Sequence, residues 1–299
     1  MNSQETLPNT QRFVLREHQG AVNVCRYNAE GNYCLTGGQD KHIRLWNTTT
    51  GLKVITLEGH GWEVLDIAVA SDHTRFASGG GDRSVFLWHA GRGELERKWA
   101  GHTQKVNAVA FNPYSNVLVS GSFDTQVRLW DLRSSTRAPI QVLRDAKDSV
   151  MALDVADHTI TVGSVDGFVR TYDIRQGVLT SDYIGHPVVS LSRTRDGTSL
   201  LVGTLDHTLR LFDVTRGSLL NQYTGHRNGT YRIRSCLSRA DTLVMGGSED
   251  GTIWCWNTLN AQPVDTLKGH TNVVTCVSFH PRESSMISAS ADGSVIIWD

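Results

Sequence analysis

The 299-residue chain has little of what marks a specialised class of protein. Its charges balance, with 29 Lys and Arg against 30 Asp and Glu, so no global field draws in nucleic acid or an anionic membrane surface. No apolar run approaches the length needed to cross a bilayer. The N-terminal stretch MNSQETLPNTQRF has no apolar centre, so a secretory leader is not expected. Cysteine is sparse. Cys25, Cys34, Cys236, Cys255 and Cys276 are odd in number and never spaced as CxxC, which argues against a disulfide framework or a zinc knuckle and suits a reducing compartment. There is no GxGxxG ahead of a helix, no P-loop, no HExxH and no GxSxG. The glycines of GGGD (79–82) lie between two strand-like runs and read as a hairpin turn. Sustained helical periodicity is missing too. The expectation is a chain with no cofactor, no metal, no nucleic-acid ligand, no membrane contact and no small-molecule substrate.

What the chain does have is repetition. SGSFDTQVRLWD (120–131) has near-copies ending at Trp46, Trp88, Trp256 and Trp298. Seven turn aspartates (Asp40, Asp82, Asp124, Asp166, Asp206, Asp250 and Asp292) each precede an aromatic by six residues. Those aromatics lie 42, 42, 42, 40, 44 and 42 residues apart, so the repeat accounts for the whole chain. A histidine stands upstream of six of the seven aspartates: His18, His60, His102, His186, His226 and His270. Within one period, VNAVAF, VLVSGS, VRLWD and IQVL read as four short strands separated by turn clusters.

Four strands per period of about 42 residues, with Gly-His and Trp-Asp signatures, resemble the WD-repeat pattern. The resemblance covers the entire chain and implies an all-β, seven-bladed propeller forming a single domain over 1–299. The repeats fall at about 18–57, 60–99, 102–143, 146–184, 186–223, 226–267 and 270–299. The last unit stops after its third strand, whereas a spare strand precedes His18. Residues 12–16 are therefore expected to complete the final blade and close the ring.

A His-Asp constellation copied through a repeat has a job in every repeat, unlike a catalytic dyad. Trp only donates, ionised Asp only accepts, and Ser, Thr and His do both, so a relay Trp–hydroxyl–His–Asp satisfies all its members. This resembles the structural tetrad of WD-repeat blades. The complete sets are His18/Thr36/Asp40/Trp46, His60/Ser78/Asp82/Trp88, His102/Ser120/Asp124/Trp130 and His270/Ser288/Asp292/Trp298. The fourth unit keeps only Asp166, the fifth has Val202 and Phe212, and the sixth has Gly246 in place of the hydroxyl. Blades four to six are therefore expected to be held less firmly.

In the WD-repeat family, partner-facing positions cluster at the strand mouths on one face. The resemblance places Leu65, Lys105, Phe123, Met151, Val165, Val189 and Leu205 there, together with Arg232, Arg234 and Glu249 on a charged side. Trp62, in the loop GHGWEV, adds an aromatic with no tetrad role. The pairs Arg193/Arg195 and Arg232/Arg234 read as solvated or protein-contacting faces.

The strings GNYCLTGGQDKHIRLWN (31–47), GHGWEVLD (59–66), GSVDGFVRTYDIRQG (163–177) and LDHTLRLFD (205–213) resemble the mitogen-activated protein kinase organizer family. That resemblance implies a non-catalytic scaffold, monomeric within larger complexes, in cytoplasm and nucleus. Its implied partners are kinase-cascade proteins and splicing factors. WDLR (130–133), echoed by YDIR (172–175), also resembles the box of substrate receptors of cullin-RING ubiquitin ligases, which leaves that role as the alternative.

Overall fold

The computed structural model describes residues 6–299, and the first five residues of the expected domain lie outside it. Every regular element among the described residues is a β-strand, and the strands form seven four-stranded antiparallel sheets. Blade two shows the plan. Val64–Val69 lies innermost, followed outward by Arg75–Gly80, Ser84–His89 and Glu94–Ala100. Burial follows from that order. The second strand is almost wholly buried between neighbouring blades, whereas the outermost strand is largely exposed. This is why the inner strands read as apolar runs and the outer ones as mixed polar sequence.

The tight turn after each aspartate is the same in all seven blades. The residue following the aspartate is left-handed throughout: Lys41, Arg83, Thr125 and His207 at φ 62–69°, and Gly167, Gly251 and Gly293 at φ 81–84°. Four blades thus carry a side chain in a conformation that costs about 1 kcal/mol. The aspartate holds the turn shut. Asp82, for example, accepts from the amides of Gly61 and Ser84 at 3.1 and 3.2 Å.

Ring closure follows the unmatched-strand argument. The seventh sheet runs Val274–Phe279, Met286–Ser290 and Val295–Trp298, and its outermost strand is Gln11–Leu15 from the other end of the chain. Gln11 faces Trp298 and Leu15 faces Val295. The amides of Asn9 and Thr10 donate to the Asp299 carbonyl, and Asp299 N–H donates back to Thr10 O. Inner strands of adjacent blades are also tied laterally. Thr275 Oγ1 donates to Val22 O, Asn23 Nδ2 to Val64 O, and Asn107 Nδ2 to Val150 O, at 2.5–2.9 Å. All five cysteines are free and buried, and burial pushes the thiols of Cys34, Cys236 and Cys255 up to about 12.

The sixth blade departs from the plan. Its inner strand shrinks to Cys236–Leu237. His226 and Asp250 are 24 residues apart, against 22 in blades one, two, three and seven. The two extra residues bring the main chain at Arg234 against blade seven, where Arg234 N–H donates to Thr275 O at 2.9 Å.

Candidate interaction surface and its supporting framework

Each blade presents its aspartate turn and the crossover into the next blade on one common face, and buried side-chain relays hold those turns in place. In blade two, Trp88 Nε1 donates to Ser78 Oγ at 2.8 Å, Ser78 Oγ lies 2.7 Å from His60 Nε2, and His60 Nδ1 lies 3.0 Å from Asp82. Blade three repeats this, with Trp130 to Ser120 at 2.9 Å, Ser120 to His102 at 2.8 Å and His102 to Asp124 at 3.0 Å. Blade one does so with Trp46, Thr36, His18 and Asp40 at 2.9, 2.8 and 3.0 Å, and Arg44 Nη1 also donates to Asp40 at 2.6 Å. In blade seven an extra hydroxyl enters. Trp298 donates to Ser288, which lies 2.7 Å from His270, but His270 Nδ1 is 2.9 Å from Ser294 Oγ. Ser294 in turn donates to Asp292, leaving the direct His270–Asp292 distance at 3.4 Å.

The charge states follow from this geometry. Burial would raise the Asp124 carboxyl, but the His102 bond and the amides of Thr103 and Gln126 outweigh it and hold it at about 2. Burial lowers the imidazoles of His18 and His270, so these relays carry a neutral ring against an ionised carboxylate. Removing the shared hydroxyl strands two buried groups at once. Ser78→Ala is expected to cost about 1–3 kcal/mol in urea unfolding, with His60 Nε2 and Trp88 Nε1 both left without a partner.

Blades four and five replace the relay and do not simply lose it. Arg170 stands four residues after Asp166 and binds it at 2.8 Å and Ser164 Oγ at 2.9 Å. Arg210 does the same for Asp206 and Thr204, at 2.5 and 2.6 Å. His186 is exposed and 3.5 Å from Asp206, outside any relay. The expectation of three weakened blades therefore narrows to one. The sequence signal was present, an Arg at the fourth position after the aspartate with a hydroxyl two before it. Only the fold shows that a guanidinium can take the place of the imidazole. In blade six, His226 is buried with neither ring nitrogen bonded, Gly246 supplies no hydroxyl, and Trp256 Nε1 donates to Thr224 O instead. Burial, with His207 nearby, lowers the His226 imidazole to about 4.

On the crossover face the structure redistributes the expected partner residues. Trp62 and Phe123 stand 57% and 55% exposed, on neighbouring blades, and Lys105 lies between them with its ammonium 2.7 Å from Glu63. Trp62 approaches the turn of blade two closely at Gly81, where a Cβ would meet Trp62 Cδ1 at 2.4 Å. The Lys41 ammonium lies over the indole, 5.7 Å from the ring centre. Of the other apolar positions expected on this face, Val189 is buried at 1% exposure, whereas Leu65, Met151, Val165 and Leu205 are half-buried. Glu249 is not a free rim charge either. Its Oε1 accepts from the amides of Gly229, Thr230 and Tyr231 and holds the long blade-six loop, which leaves Tyr231 half exposed on the same face.

Arg232 and Arg234 differ most from the expected charged rim. Both turn into the central channel. Arg234 Nη1 donates to Asn23 O at 3.0 Å, and Nη2 donates to Leu65 O at 2.9 Å and Asp66 Oδ1 at 2.8 Å, so one side chain ties blade six to blades one and two. Arg232 Nη1 reaches Asn107 O in blade three at 2.5 Å. The 44-residue spacing before Trp256 hinted at an insertion there, but nothing local showed where its side chains would point.

Comparison with known proteins bears on the whole chain. The family model described as "WD domain, G-beta repeat" matches residues 9–47, 51–89, 93–131, 177–213, 217–257 and 261–299. The segment it passes over, 132–176, holds most of blade four, which is nevertheless a full four-stranded sheet. A Xenopus laevis protein named WD repeat domain-containing protein 83 is 55% identical over 98% of this chain and 93% of its own length. The Homo sapiens protein of that name is 45% identical over 98% of this chain and 92% of its own. A Dictyostelium discoideum homolog is 33% identical over 96% of this chain and 97% of its own.

Proposed function

The chain belongs to the WD-repeat family, and from that membership we propose that it acts as a non-catalytic scaffold. It assembles mitogen-activated kinase cascade proteins in the cytoplasm and splicing factors in the nucleus. WD-repeat propellers mediate protein–protein contacts, and the organizer resemblance extends over nearly the whole length. The observation that carries the reading is the pair Trp62 and Phe123. They are large, exposed aromatics on adjacent blades, Phe123 beside the turn aspartate Asp124 and Trp62 two residues after His60, both next to complete relays. Rigid exposed aromatics are the residue type that anchors protein interfaces. The His-Asp pairs argue against chemistry at the same places, since in blades one, two, three and seven each imidazole is occupied by structural partners. The alternative, a ubiquitin-ligase receptor, is supported by Arg133, whose side chain is well exposed in the WDLR segment.

A tagged pull-down separates these. Trp62→Ala with Phe123→Ala is expected to lower capture of kinase-cascade or splicing proteins at least tenfold while leaving the melting temperature unchanged. Undiminished capture would remove this face from the function. Loss of a cullin adaptor on Arg133→Ala would support the ligase reading instead.

A further inference from the structure

We propose that the central channel holds a binding site for a small phosphate-bearing anion, gripped by Arg26 and Arg232. The channel encloses a cavity of 440 Å³ lined by Arg26, Arg193, Arg232, Arg234, Asp66 and Asp154, among others. Cavities of this size suit small ligands.

Four guanidinium groups face two carboxylates, and both carboxylates are already engaged. Asp66 accepts from Arg234 at 2.8 Å and from Val109 N–H at 3.1 Å. Asp154 accepts from Arg193 Nε at 2.6 Å. Two cations are left over. The Arg26 side chain makes no hydrogen bond or ion pair among the described residues and feels Asp66 only at longer range, and Ala68 and Ala110 line the same cavity. Arg232 has one carbonyl partner, its Nη2 is 4.0 Å from the nearest Asp66 oxygen, and its Nε is buried with no partner.

Both groups are half-buried, line the same cavity and have Asp66 only at longer range, so desolvation of their charge is incompletely offset and an anion between them would be favourable. Burial and the adjacent Arg234 lower the Arg232 guanidinium to about 9, a strain that a bound anion would relieve. Paired guanidiniums, each a planar fork of N–H donors, match phosphate oxygens. Such a site runs against the sequence-based expectation of a chain without small ligands. It needs no catalysis, and it would tie blades one and six together from inside the ring.

The test is calorimetric titration of the full chain at constant ionic strength, with pyrophosphate, inorganic phosphate and citrate as probes. Saturable one-site binding of pyrophosphate is expected. Arg26→Met should weaken it tenfold or more, and Arg137→Met, in an exposed loop, should leave it unchanged. Because Arg26 has no partner to lose, the anion-free melting temperature of Arg26→Met should equal or exceed that of the unmutated chain. No saturable heat with any probe, equal binding by Arg26→Met, or a lower anion-free melting temperature for that variant would each overturn the site. Tighter binding of citrate than of pyrophosphate would overturn its assignment to phosphate.

Discussion

A chain lacking residues 1–16 is expected not to yield a stable monomer. The strand Gln11–Leu15 makes the outer ladder of blade seven, with Phe13 opposite Ile297, Val14 opposite Ile296 and Leu15 opposite Val295. Leu15 belongs to the buried cluster that also holds Val295 and Ile297, and Phe13 packs against it. Arg12 adds an exposed ion pair to Asp299 at 3.1 Å, which counts for little. A few ladder bonds at about 1 kcal/mol each, with the burial of Leu15 and Phe13 at about 2 kcal/mol each, bring the loss to roughly 5–7 kcal/mol. That is comparable to the whole net stability of an ordinary domain. The uncovered strand Val295–Trp298 would also become an open edge, apolar and ready to pair with another chain. Light scattering on the truncated protein should show aggregates or dimers. A synthetic peptide of residues 6–18 added in trans should restore the monomer, since pairing and not covalent continuity closes the ring. A truncated chain that stays monomeric and unfolds cooperatively near the full-length midpoint would contradict the clasp.

Arg234→Met is expected to lower stability by about 3–5 kcal/mol, a large effect for one surface-distant side chain. The change leaves the Asp66 carboxylate buried, with the amides of Ile67 and Val109 as donors at 2.9 and 3.1 Å and its nearest remaining cation, Arg232 Nη2, 4.0 Å away. It also strips the carbonyls of Asn23 and Leu65 of their donor. Asp66→Asn alone should cost a similar amount, because Arg234 then keeps its charge without an opposite one. The double variant Asp66→Asn/Arg234→Met should recover at least half of the summed loss, because the penalty of each single change is the stranded charge and not the missing attraction. Urea unfolding of the four proteins measures this coupling. Additive losses would mean that the two groups do not communicate across the channel.

Much of this molecule is legible in its sequence because a repeat states each local rule several times. The period of about 42 residues, the alternating strands and the Asp turn recur often enough that tolerance at one blade does not hide the pattern. The relays of blades one, two and three could be read for the same reason, since the donor and acceptor capacities of Trp, Ser, His and Asp close only one way. Reading failed both where a substitution rewired a blade from within and where residues from different blades meet. Arg170 and Arg210 look like ordinary strand arginines until the fold lays them over Asp166 and Asp206. Ser294 enters the seventh relay from the far side of its turn. Val189 was expected at the surface, yet it is 1% exposed.

By itself, then, the sequence determined the architecture: seven like units, their strand order, and a first strand with no sheet except the last. Those depend on contacts within about 42 residues or on a simple count of strands. The tertiary structure alone decided what the ring encloses and what it shows outside. Arg234 meets Asp66 across 168 positions of sequence, and Trp62 stays exposed while Val189 does not. Such outcomes depend on the tilt of each blade and the width of the channel, and closing the ring sets both at once.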